Sequence, residues 1–86
     1  MNQELQSVID TLMEFQDDDS VPRNVKTRMV ETAQALKSDE SLSIRINKAL
    51  SILDEVSDDT NIQPYTRTQI WGISSMLESI DADQDE

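Results

Sequence analysis

Apolar residues recur along this chain at the spacing of one helix face, and they do so four times. Leu5, Val8, Ile9, Leu12 and Phe15 form the first stripe, predicting a helix from Asn2 to Gln16. Val25, Met29, Ala33 and Leu36 form a second, in a helix running to about Lys37. Leu42, Ile46, Ala49, Leu50, Leu53 and Val56 make a third, with Ile44 and Ile52 beside it, so this helix is expected to be the most enclosed. Thr66, Ile70, Ile73, Leu77 and Ile80 make the fourth. Between the first two stripes lies the acidic turn Asp17-Asp18-Asp19-Ser20, and Ser57-Asp58-Asp59-Thr60-Asn61 lies between the last two.

These halves are one pattern written twice. A shift of 41 positions carries Leu5 onto Ile46, Leu12 onto Leu53, Phe15 onto Val56, Asp17-Asp18 onto Asp58-Asp59, Val21 onto Ile62, and Leu36 onto Leu77. The reading is an all-α, up-down-up-down four-helix bundle built from two similar helical hairpins. The period also suits a two-helix solenoid repeat, but two such repeats would close into much the same four-helix unit. The domain is expected over residues 1–80, with 81–86 as a frayed acidic tail lacking apolar anchors.

Turn chemistry supplies the helix starts. Ser20, or Asp19 in competition with it, is the expected cap of the second helix, with Pro22 in its first turn. The segment Ser38–Ser41 caps the third helix, and Thr60 or Asn61 the fourth, with Pro64 in its first turn. Gly72 stands alone inside the fourth helix, at a cost of about 1 kcal/mol against alanine, and suggests close approach of a neighbouring backbone.

Composition narrows the chemistry. The chain has 86 residues, 18 acids against 7 bases for a net charge of −11, and neither cysteine nor histidine. Disulfides, thiolate and imidazole catalysis and zinc sites are thereby excluded. Both acidic turns lack the glycine and alternating aspartates of a calcium loop, so no metal or cofactor is expected. Ser43, Ser51, Ser74 and Ser75 have no histidine to activate them, and the acids lie on polar faces or in turns, so the chain reads as a non-enzyme. The start has no basic region before an apolar run, and no apolar run reaches membrane-spanning length; a soluble, cytoplasmic protein is expected.

Two features point outward. Trp71 projects roughly 150° away from the fourth stripe at 100° per residue, and its repeat counterpart Val30 also lies off its own stripe. A tryptophan on an outer face is an interface anchor, whereas wider burial of the fourth helix would make it part of the core. Trp71 and Val30 are therefore the candidate interface residues, toward a protein partner or a second copy. Six of the seven bases fall between Arg23 and Lys48. Net charge opposes direct nucleic-acid binding, yet this region offers an alternative as an accessory factor contacting RNA or nucleic-acid machinery.

The second hairpin carries a resemblance. Ile52-Leu53-Asp54-Glu55-Val56-Ser57, the acidic turn with Asn61, and Tyr65-Thr66-Arg67-Thr68-Gln69-Ile70-Trp71 resemble the small archaeal uncharacterised protein family numbered 0147, and Val21-Pro22-Arg23-Asn24 resembles its first hairpin. The resemblance covers nearly the whole chain apart from the acidic tail. It implies a compact all-helical bundle and an archaeal source. It implies no activity, and no site residues carry over from it.

Overall fold

A computed structural model describes residues 3–83. Four helices follow one another: α1 (Gln3–Glu14), α2 (Arg23–Leu36), α3 (Leu42–Ser57) and α4 (Pro64–Asp83), with a turn of 3-10 helix over Phe15–Asp17. There is no strand among the described residues. The fold is an all-α four-helix bundle within an envelope of 40 × 18 × 18 Å. Consecutive helices pack on each other and α1 closes on α4, while the diagonal pairs make no close approach among the described residues.

The most extensive helix contact is α2 with α3, which joins the two repeats instead of lying within either. Its partners advance along α2 as they retreat along α3: Asn24 with Asp59, Arg28 with Glu55, Leu36 with Arg45. The two helices therefore run antiparallel. The repeat is a unit of sequence and local structure, and the packing centre is the seam between its copies.

All of the residues of the first, second and fourth stripes are buried, including Leu12, Met29, Leu36, Ile70 and Leu77. Burying such side chains supplies the main driving force, at about 1.5–3 kcal/mol each before conformational entropy opposes it. Two further apolar residues join them. Val21 and Ile62 sit at equivalent places in the acidic turns and turn inward, closing the bundle where each hairpin reverses. Thr32 is buried as well, its hydroxyl donating to the Arg28 carbonyl at 2.8 Å.

The α3 helix is not the most enclosed. Ile46, Ala49, Leu53 and Val56 are buried, but Leu42, Leu50 and Ile52 are half-buried and Ile44 is exposed. Its apolar residues extend around more of the helix than α2 and α4 cover. The first helix also ends sooner than its stripe: α1 proper stops at Glu14, and the 3-10 turn carries Phe15 into the core. Asn2, the expected start of this helix, lies outside the described residues.

The caps differ from expectation in both turns, for one reason. Asp18 Oδ1 accepts from the Ser20 N–H at 2.9 Å and from the Ser20 hydroxyl at 2.6 Å. Ser20 is thus held within an Asx turn, its hydroxyl turned toward Asp18, and its Oγ accepts from no N–H of the helix. Pro22 becomes the cap residue, at φ −59° and ψ 149°, and its carbonyl accepts from Val25 and Lys26. The second turn repeats this. Asp59 Oδ1 accepts from the Asn61 N–H at 2.8 Å, and the first full turn of α4 closes from the Arg67 N–H to the Gln63 carbonyl. Neither Thr60 nor Asn61 caps α4, while Pro64 does occupy its first position. Within Ser38–Ser41, Ser41 holds the cap position of α3, but its side chain makes no capping hydrogen bond; its carbonyl accepts from the Arg45 N–H.

At its far end α4 continues through Asp83, past the boundary set at residue 80. No proline or glycine stops it, and buried Ile80 anchors its last turns. Residues 84–86 of the expected tail lie outside the described residues. Gly72 meets no neighbour: a Cβ built on it has nothing within 4 Å, and the residue is exposed. No backbone approaches it, contrary to the sequence reading.

Candidate functional site

The outward features sort themselves by helix flank. Trp71 is 58% exposed, with the core closed beneath it by Ile70 and Ile73 on either side. Along α4, Trp71, Ser74 and Glu78 fall at i, i+3 and i+7 and form one stripe. Along α3, Asn47, Ser51 and Asp54 form the facing stripe. Together these stripes edge a groove of about 400 Å³, which has Leu50 and buried Leu53 among its lining residues. Its charged residues are Asp54 and Glu78, both acids. Neither carboxylate has an ion-pair partner among the described residues.

Val30 is half-buried on α2 and does not line this groove. Arg28 reaches Glu55 and so marks the α3 side of α2. Val30 lies two residues on, about 200° around the helix, on the opposite flank. The two candidate interface residues are therefore equivalent in the repeat but face different sides of the bundle. Other large apolar residues are also exposed: Tyr65 at 70%, Met76 at 43% and Ile44 at 44%.

Much of the basic region between Arg23 and Lys48 is engaged within the chain. Arg28 pairs with Glu31 at 2.8 Å and also with Glu55. Lys48 Nζ lies 2.7 Å from Glu40. Arg45 donates from Nη1 to the Leu36 carbonyl at 2.9 Å, closing the C-terminal end of α2. Arg67, the base outside that region, does the same for α3, donating from Nε to the Ser57 carbonyl at 3.2 Å and from Nη2 to the Asp59 carbonyl at 2.8 Å. Guanidinium groups thus satisfy helix-end carbonyls on both sides of α3.

The acidic turns have a structural job. The Ser20 hydroxyl, and after it the Ser20 N–H, hold the Asp18 carboxyl below its ordinary value against an opposing effect of desolvation, with a lesser contribution from the charge of Lys26. Asp59 receives the Asn61 N–H and also the Asn24 side-chain amide, at 3.2 Å. Among the described residues no group of three acids comes together as a metal cage. No described helix is long and apolar enough to cross a membrane.

Sequence reasoning identified Trp71 but missed Asp54 and Glu78, which need the α3–α4 register to be seen as its neighbours. A signal was available in the repeat. The positions 41 residues earlier hold Met13, Val30 and Lys37, so the first hairpin has neither the aromatic ring nor either acid.

Known proteins resemble this chain in fold and in sequence. The crystal structure of the unknown-function protein MMP1188 superposes with a TM-score of 0.85 at 38% identity, covering 88% of each chain. A UPF0147 protein of Methanothermobacter thermautotrophicus is 40% identical over 80 residues, 92% of this chain and 78% of its own. Its counterpart in Methanocaldococcus jannaschii is 42% identical over 77 residues, 88% of this chain and 83% of its own. Residues 1–80 match the uncharacterised protein family UPF0147, and with these archaeal relatives alongside, the chain belongs to that family.

Proposed function

We propose that this protein is a non-enzymatic interaction module that holds another protein through the α3/α4 groove beside Trp71. One observation carries the reading: the chain's only tryptophan is 58% exposed at a groove, on a helix whose core stripe is complete without it. Large aromatic side chains dominate binding energy at protein interfaces. The residue inventory favours the same reading, since no histidine or cysteine is present to carry catalysis. Contact with RNA through the Arg23–Lys48 region has less support, because Arg28, Arg45 and Lys48 already have partners in the chain.

The test is iodide quenching of Trp71 across a dilution series, alone and with co-purified binding protein, paired with Trp71→Ala and Ile44→Ala. Trp71 is expected to be quenchable in the dilute chain and shielded in the complex. Association should be lost in Trp71→Ala and kept in Ile44→Ala, with helicity unchanged in both. Equal association by Trp71→Ala and the parent chain would refute the reading.

A further inference from the structure

Building on that interaction reading, we infer that the groove takes a basic segment of another protein, with a lysine or arginine side chain laid over the Trp71 ring between Asp54 and Glu78. The groove's charged lining is acidic on both walls, with Asp54 from α3 and Glu78 from α4. Neither acid has an ion-pair partner among the described residues, whereas Glu31, Glu40 and Glu55 on other faces each have a base. An exposed indole face attracts cations through its quadrupole, and arginine stacks on it best. Carboxylates beside the ring would hold the same cation by hydrogen bonds, while the aliphatic stem of a lysine or arginine would cover Leu50.

Charge complementarity selects the partner. A second copy of this chain brings another −11 toward an already acidic groove, so self-association there is opposed at low ionic strength. Nucleic acid is opposed for the same reason. A lysine- and arginine-rich helix or strand is attracted. The repeat sharpens the assignment, because Met13, Val30 and Lys37 at the corresponding positions of the first hairpin supply none of these contacts.

The experiment titrates the full chain with a lysine/arginine-rich amphipathic peptide and with its glutamate-substituted counterpart, following Trp71 emission. The basic peptide should change the emission saturably, and raising the salt to several hundred millimolar should weaken binding about tenfold or more. Asp54→Asn with Glu78→Gln should weaken it about fivefold or more, with helicity retained. Neutralising the remote acids Asp10 and Asp39 should change it less than about twofold. Followed by the anisotropy of a dye-labelled peptide, because these variants lack the tryptophan, Trp71→Phe should bind better than Trp71→Leu. Equal weakening by the remote pair would make the effect one of overall charge and overturn the proposal. So would a Trp71 emission that reddens on dilution of the chain alone, which would put a second copy in the groove. If Trp71→Ala abolishes association with a native protein while the Asp54/Glu78 change does not, the interaction module stands and the basic-segment assignment falls.

Discussion

Replacing Gly72 with alanine should make this protein more stable. The residue lies in the interior of α4, a helix of 20 residues, with no positive φ that only glycine tolerates. The new methyl group would meet nothing within 4 Å and project into solvent. Neither strain nor overpacking therefore offsets the gain in helix propensity, which is about 0.8–1.0 kcal/mol for glycine to alanine in a helix interior. The same figure expresses the backbone freedom that glycine adds to the unfolded chain. For a domain of this size, about 1 kcal/mol corresponds to a rise in Tm of about 4–8 °C. Far-UV circular dichroism, in thermal and urea unfolding at one protein concentration, would measure it. A Tm equal to or below the parent's would refute the reasoning, because it would require a neighbour at Gly72 that the structure does not contain.

Other substitutions test the remaining parts of the account. Leu53→Ala, at a fully buried position, should cost about 2–5 kcal/mol in urea unfolding, whereas Ile44→Ala, 44% exposed, should cost well under that. Arg67→Met removes two charged donors, one from the Ser57 carbonyl that ends α3 and one from the Asp59 carbonyl in the turn beyond, and should cost about 1.5–3 kcal/mol. Lys48→Met breaks a surface pair with Glu40 and should cost under about 1 kcal/mol, so the order of the two separates carbonyl capping from simple ion pairing. Asp18 has a carboxyl lowered from 3.8 in the folded state, so its charge favours folding above that value and loses this effect as pH falls below it. Asp18→Asn keeps an oxygen acceptor for Ser20 but not the charge. The urea midpoint of the parent should exceed that of the variant near neutrality, and the gap should close as the pH falls through the folded pKa.

The four helices and nearly all of the core were legible because burial against neighbours on one side leaves a 3.6-residue signature in Leu5 to Phe15, Val25 to Leu36 and Thr66 to Ile80. Val21 and Ile62 escaped it because turn residues have no period; only the repeat placed them together. The cap of α2 is ambiguous in the sequence because a serine two residues after an aspartate can serve an Asx turn or a helix start, and here it serves the turn. Trp71 was readable from its angle on α4. That Val30 faces elsewhere was not, since the repeat sets equivalence and only packing decides which flank meets which groove. The acids beside Trp71 come from different helices, and their meeting depends on α3–α4 register.

The placement of the lone tryptophan has a practical consequence. Because Trp71 is already 58% exposed in the folded chain, melting the bundle should change its emission less than it would for a core tryptophan. The Trp71 signal is thus a weak reporter of folding, while a segment that settles into the α3/α4 groove covers the ring and should alter it. Helicity and tryptophan emission are then two separate channels, one reading whether the bundle is intact and the other whether its groove is filled.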